Sequence, residues 1–397
     1  MFDSIVIGKG LMGSAALRYL SEAASNVAVI GPDEPLDHTT HHGVFASHYD
    51  EGRIAKRLGE DLTWAEMTNR ALGNARSLEK RSGIPFYSPC GRLTVMREAT
   101  LTRYLKQCEQ VAKALGVQYE ILSTSAIHQR FPMFAFPAGY SAVIEPAPAG
   151  LIRPRALIRG QLAIGAKNGA TIVCEEVHSV HPRADGVTVI AQSGQQFQGK
   201  RVLLASGAFT NCHGLLMRKL ALRIKTETVL LAEVPESEAA RLQNMPTLGY
   251  DIDSPLLGGI YLTPPLRYPD ARFYIKLGCN TATDDVLRDL PEIQKWMRKG
   301  RPDDMLEVML QALLAFMPTL DVRSWLGRPC VVTYTPHTKP FVDQLSEQVF
   351  VATGGNGCSA QCSDTLGYLA ANLVLDKPWP DAFARHDFRA IYVDGAA

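Results

Sequence analysis

Short apolar runs alternate with amphipathic stretches along this chain, beginning at the N-terminus. Residues 2–7 end in Ile5, Val6 and Ile7 and predict a buried strand. A helical stretch at 14–24 follows, then a second apolar run of Val27, Ala28, Val29 and Ile30. Leu62, Met67, Ala71, Leu72, Ala75 and Leu78 recur at helical spacing and predict a helix over 54–82. Residues 84–96 predict strands, punctuated by Pro89 and Gly91. Helices are predicted at 101–115, stopped by Gly116, and at 155–168, with strands at 171–173, 186–191 and 201–205. Runs at 227–234, 258–263 and 272–279 have little helix between them, which predicts an antiparallel sheet inserted in an α/β fold. Helices over 291–299 and 303–316, strands over 331–334 and 348–353, and a last helix over 363–375 complete the pattern.

Between the first two strands stand Gly8, Gly10 and Gly13. Strand, G-x-G-x-x-G, helix and strand within about 30 residues is the context of a dinucleotide-binding turn. Gly8 allows the tight turn, Gly10 lets backbone approach a pyrophosphate, and Gly13 lets helix and strand pack closely. Leu11 and Met12 lie within this turn and count among the residues that would contact the cofactor, and the helix behind it points its first N–H groups at the phosphates. The other reading is a glycine-rich turn of an unrelated α/β protein. The acid that grips a ribose hydroxyl belongs at the end of the second strand, where Gly31 stands. Asp33 follows Pro32 and either reaches back to a rearranged ribose contact or marks a lost site. The 201–205 strand ends in Ala205, Ser206 and Gly207, small residues that suit a ligand or a bare turn equally well. Gly354, Gly355, Asn356 and Gly357 precede the last helix and form a second place where backbone N–H groups can face a ligand.

A chain of 397 residues exceeds one ordinary core. The expected organisation is a discontinuous Rossmann-like nucleotide domain over 1–85, 146–220 and 325–397, with an α+β substrate domain over 86–145 and 221–324. Hydrophobic residues make up 46% and charged residues 20%, and the net charge is +1, so nothing favours nucleic acid or an anionic membrane. No apolar stretch approaches the roughly 18 residues of a membrane span. Asp3 and an immediate strand do not read as a signal peptide, so a cytoplasmic protein, monomeric or a small homo-oligomer, is expected. Eight cysteines are scattered without C-x-x-C pairs, which fits neither a disulfide framework nor a zinc site. His41 and His42 are adjacent on a loop and point apart, so no metal site is expected.

The ordered set of Gly8, Gly10 and Gly13, the segment 47–57, Ala205-Ser206-Gly207, the stretch 274–278, Cys330 and the 354–357 turn resembles the D-amino-acid-oxidase superfamily of FAD enzymes, within it the monomeric sarcosine oxidase branch. The resemblance implies an FAD contacted also by Ser47 and Val177, with Arg53 against the flavin ring and Lys56 on a substrate carboxylate. Read alone, those two charges are solvated residues at a helix start. Lys276, between apolar neighbours, matches a lysine near flavin N5 that assists oxygen; the alternative is an edge-strand lysine facing solvent. Cys330 falls where that branch attaches its flavin by a thioether; otherwise it is a buried thiol and the FAD is held non-covalently. Two positions depart from the family: Asn280 stands in place of a catalytic histidine, and Gln361 in place of a second carboxylate-binding lysine. Tyr261 matches a substrate-side tyrosine only loosely.

The reaction implied is oxidation of the C–N bond of a small amine or amino acid to an imine, with molecular oxygen reduced to hydrogen peroxide. The alternatives are a dehydrogenase with another electron acceptor, a nicotinamide-dependent dehydrogenase, and a non-catalytic flavoprotein.

Overall fold

The computed structural model describes residues 1–300 and 303–393. The final stretch of the expected 325–397 segment, 394–397, lies outside the described residues. Strand Phe2–Ile7 sits at the centre of the first sheet, parallel to Gln196–Leu204 on one side and to Val27–Ile30 on the other. Val27–Ile30 continues to Thr171–Val173, and Gln196–Leu204 to Val349–Thr353, all in parallel. A parallel sheet must be covered on both faces, and the alternation within the strands divides the core accordingly. Val6 and Leu203 pack with helices Leu11–Ser21 and Ser363–Val374 through Leu17, Leu20, Leu366 and Leu369. Ile5, Ile7, Val202 and Leu204 face the other way, onto Val180, Val187 and Val189 of the hairpin Val177–Arg183 and Gly186–Ala191.

The second sheet has nine strands. Its longest members, Arg223–Val234, Leu257–Arg267, Phe273–Thr281 and Ser324–Tyr334, are antiparallel. The expected run at 331–334 is therefore the end of a longer strand, paired with Arg223–Val234 from Ser324 to Tyr334. Arg92–Arg97, Thr247–Tyr250, Tyr140–Glu145 and Glu120–Ser123 extend the sheet on its other side. One face is apolar. Leu93, Val95, Leu230, Leu248, Leu262, Ile275 and Leu277 pack against Met309, Leu310 and Leu313 of helix Asp303–Phe316. Side chains alternate across a strand, so the residues between these emerge on the opposite face: Arg92, Glu145, Gly249, Tyr261, Lys276, Gly278 and Asn280. That face is polar.

A three-stranded sheet of Arg53–Ala55, Gly150–Ile152 and Tyr87–Ser88 joins the two. It corrects the helix expected over 54–82. Ile54 and Ala55 pair with Leu151 and Gly150. The helix begins at Leu62, where the Asp61 side chain accepts the Trp64 N–H at 3.0 Å, and ends at Gly83 with φ +72°. Apolar periodicity alone does not locate a cap, and the short strand lacked enough residues to show its own period. The last helix starts where the sequence places it, at Ser363. A 3₁₀ turn, Ser359–Cys362, stands between the glycine turn and Ser363–Val374.

Helix Ser363–Val374 crosses helix Leu11–Ser21 at Gly367. A Cβ there would lie 2.4 Å from the Ala15 Cβ and 2.6 Å from the Ala16 nitrogen. Backbone cannot yield as a side chain does, so Gly367→Ala should cost about 1–3 kcal/mol of stability. Equilibrium denaturation of the two proteins measures it.

Candidate active site

The opening turn has the shape a pyrophosphate requires. Gly8 has φ +97°, and a Cβ on it would sit 2.5 Å from the Ala205 carbonyl oxygen. A Cβ on Gly13 would be 1.8 Å from the Gly8 oxygen. Gly10 is open, with nothing within 4 Å of its added Cβ. It begins helix Leu11–Ser21, which has no side-chain cap and no acid in its first turn, so the N-terminal field is left for a ligand anion. These residues fit a dinucleotide.

The missing ribose acid has a steric correlate. A Cβ on Gly31 would be 3.0 Å from the Lys9 nitrogen. Asp33 does not fold back over the glycines. It pairs with the Lys9 ammonium, which also reaches the Cys174 Sγ at 3.0 Å. Ser206 and Gly207, the latter with φ +56°, begin a short 3₁₀ turn, and the Ser47 Oγ lies 3.7 Å from a Cβ on Gly207. Val177 is buried at the start of strand Val177–Arg183, which belongs to the first sheet through Gly186–Ala191 and Gln196–Leu204. Asn356, with φ +49°, donates its N–H to the Thr333 carbonyl at 2.9 Å and accepts the Thr335 N–H on its Oδ1 at 3.0 Å. The Met12 Cε lies 3.7 Å from a Cβ on Gly355, so the first and last turns approach each other; Gly357 has φ +76°. Cys358 and Ser359 give their N–H groups to the Gly355 carbonyl, and the first turn of Ser363–Val374 carries Asp364, buried against Arg18.

Lys276 is fully buried, not an edge-strand residue facing solvent. Its ammonium binds the Asp50 carboxylate and the Gly52 carbonyl. Asp50 is 1% exposed and also accepts from the Tyr268 hydroxyl and the Glu51 N–H, each at 2.8 Å. Arg53 Nε and His48 Nε2 each lie 3.4 Å from the same carboxylate. Arg53 Nη1 donates to the Tyr261 hydroxyl at 3.2 Å, and Nη2 points to the Cys330 Sγ at 3.8 Å. The Tyr261 hydroxyl in turn donates to Glu227 Oε1 at 2.9 Å. Lys276, Arg53, Tyr261 and Cys330 thus form one network. Asp50, His48, Tyr268 and Glu227, which sequence reasoning missed, complete it. Glu227 is in register with Cys330 across the strand pair, a signal visible only once strands are aligned.

Burial would raise the Asp50 carboxyl, but the Lys276, His48 and Arg53 charges hold it well below the usual range. Burial and the Arg53 charge pull Lys276 down to about 8 against the attraction of Asp50. Burial pushes the Cys330 thiol up to about 12 although Arg53 opposes it. Tyr261 keeps its proton, first through burial and then beside Glu227.

Lys56 and Gln361 meet at the neighbouring end of the site. The Lys56 N–H donates to Gln361 Oε1 at 3.0 Å, and the Lys56 ammonium donates to the Tyr104 hydroxyl at 3.3 Å. Neither Arg53 nor Lys56 is a solvated helix-start charge: Arg53 lies on a strand and Lys56 just beyond it. Asn280 is exposed at the edge of the same sheet face, accepting from the Lys225 ammonium at 2.7 Å, and Lys225 also pairs with Asp284. His41 Nε2 hydrogen-bonds the Val44 carbonyl at 3.0 Å, and the His42 carbonyl accepts from Gln294.

The family model described as "FAD dependent oxidoreductase" (DAO) matches residues 3–373. N-methyl-L-tryptophan oxidase of Yersinia pestis (strain Pestoides F) is 24% identical over 395 residues, covering 98% of this chain and all of the relative. Among solved structures, fructosyl amine:oxygen oxidoreductase (Amadoriase I) from Aspergillus fumigatus superposes with a TM-score of 0.74 at 18% identity, covering 98% of this chain and 89% of that one. Glycine oxidase from Geobacillus kaustophilus gives 0.73 at 17% identity, covering 98% of each. The chain belongs to the DAO family of FAD-dependent oxidoreductases. Among the described residues, no helix is long and apolar enough to cross a membrane.

The network predicts a pH dependence. Burial lowers His48 from 6.5 to about 4, so the folded protein keeps it neutral while the unfolded chain protonates it near 6.5. The unfolded state then binds more protons between those values, and stability falls as pH drops from 6.5 toward 4, by about 3 kcal/mol at most. His48→Gln should flatten that limb in denaturant titrations across the window.

Proposed function

With family membership as the premise, we propose that the protein oxidises the C–N bond of a small amine or amino acid to an imine, with oxygen as the final acceptor. The observation that carries this reading is the pair of cations, fully buried Lys276 and part-buried Arg53, sharing the carboxylate of Asp50 beside Cys330. FAD, when bound, supplies the two-electron acceptor. Gly8, Gly10 and Gly13 would hold its phosphates, and Arg53, Lys276 and Cys330 its ring. Ser206, Gly207, Gly355, Asn356 and Gly357 would line its length.

The chain's own residues have separable tasks. Arg53 and Lys276 offer fixed positive charge to a negative charge arriving between them. They also disfavour a further cation, so a substrate nitrogen beside them loses its proton more readily. The free lone pair that results is what C–N oxidation requires. Tyr261 offers a hydroxyl held between Arg53 and Glu227, which orients it without titrating. Lys276 provides the fixed charge for the oxygen step. Cys330 would hold the cofactor covalently. In this reading the first sheet, drawn from 1–85, 146–220 and 325–397, forms the cofactor domain, and 86–145 with 221–324 forms the substrate domain. The pairing of Ser324–Tyr334 along Arg223–Val234 favours counting that strand with the second sheet. The name of the N-methyl-L-tryptophan oxidase supports N-alkyl amino acids as the first compounds to try.

An amine panel read by peroxide release tests the activity; a protein that reduces with amines but returns no peroxide would be a dehydrogenase. Lys276→Met should retain flavin and slow reoxidation in air by on the order of 10²-fold, as loss of one preorganised charge does. Unchanged reoxidation would remove Lys276 from the oxygen step. Denatured protein should carry the mass of one FAD less two hydrogens, and Cys330→Ala should carry none.

A further inference from the structure

We infer that Arg92 anchors the substrate's anionic end, accepting a carboxylate together with Lys56 and restoring the charge that Gln361 lacks. The inference rests on the amine-oxidising reading above and narrows its substrates to amino acids and their N-alkyl derivatives.

Arg92 opens the strand Arg92–Arg97 and is 8% exposed. Its Nε and Nη1 are buried without a hydrogen-bond partner. A guanidinium in that state is costly to keep. Glu145 is the nearest acid by register, directly across the strand pair. Its oxygens are engaged elsewhere, by the N–H groups of Arg57 and Leu58 and by Arg57 Nε. Burial brings the Arg92 guanidinium down to about 10, with Tyr104 and Glu145 only partly offsetting it.

The side chain has a built path. A Cβ on Gly249 would fall 1.9 Å from Arg92 Nη2, so the guanidinium lies flat across that glycine. Gly249 is in register with Tyr261, and Tyr261 with Gly278. A Cβ on Gly278 would in turn meet the Tyr261 ring at 2.2 Å. Two glycines on one row of the polar face therefore let Arg92 extend toward Tyr261, and Tyr261 toward Glu227. Lys56 joins from the facing segment. Its ammonium hydrogen-bonds the neutral Tyr104 hydroxyl, and burial followed by the Arg92 charge disfavours its protonated form. Gln361 gives its oxygen to the Lys56 backbone. Buried Arg92 and part-buried Lys56 thus repel one another. A planar carboxylate is the anion that matches a guanidinium fork.

The test uses the FAD-loaded protein and two isosteric probes, benzoate and benzamide, with binding measured by calorimetry. Wild type should bind benzoate about 10–150-fold more tightly, the worth of charge-assisted hydrogen bonds. Arg92→Gln should bring the two probes to within about threefold of each other. Arg92→Lys should retain part of the preference, since a point charge replaces a fork. In turnover, Arg92→Gln should raise KM for amines bearing a carboxylate and leave KM for uncharged amines in place. No benzoate preference in wild type, or the full preference retained in either variant, overturns the inference. Should Arg92→Gln lose its flavin, the Arg92→Lys comparison decides alone. The binding arms need no turnover, so a protein that oxidises no amine sinks the proposed activity, whereas amine oxidation without anion preference sinks only this inference.

Discussion

A lysine ammonium with no exposed surface has to be answered inside the protein, and the answer to Lys276 is Asp50. Removing either partner of such a buried pair costs about 3–5 kcal/mol, because the survivor keeps its desolvation penalty. Lys276 belongs to the second sheet, and Asp50 to the loop that leads into Arg53–Ala55. The pair therefore fixes where that loop crosses the polar face. It also aims Arg53: with its Nε against Asp50, the rest of the fork reaches Tyr261 and Cys330.

Glycines make the second constraint. At the opening turn they bring backbone against backbone, with Gly8 under Ala205 and Gly13 against Gly8. On the polar face they do the reverse and make room for long side chains to lie down. Gly249 receives Arg92, and Gly278 receives Tyr261. Deleting side chains on that row converts a sheet surface into a floor on which charged groups meet a ligand. Close packing on the apolar face beneath, through Leu262, Ile275 and Leu277, keeps the floor in register.

Much of the fold could be read from the chain because its signals were local. The glycine turn needed only its flanking strands. The helix Asp303–Phe316 follows from period and composition alone. Lys276 announced itself as a charge in an apolar run. Asp50 and His48 did not, since polar residues on a loop are ordinary until a partner is known. Glu227 and Arg92 acquire meaning from register, Glu227 opposite Cys330 and Arg92 opposite Glu145, and register is a long-range property. Arg53 and Lys56 were drawn into the wrong element because a three-residue strand shows no period. Within the site, Asn280 is held by Lys225 at an exposed edge, and Gln361 is bonded to backbone.

The central claim is that the Asp50, Lys276 and Arg53 charges face a flavin ring across the seam between the two large sheets. The most direct measurement is the electron density of the protein crystallised with FAD. The account predicts a ring bounded by Arg53, Lys276 and Cys330, with its phosphates against Gly8, Gly10 and Gly13. Density that places the ring away from those three side chains, with the Lys276 network still closed by protein, would contradict it.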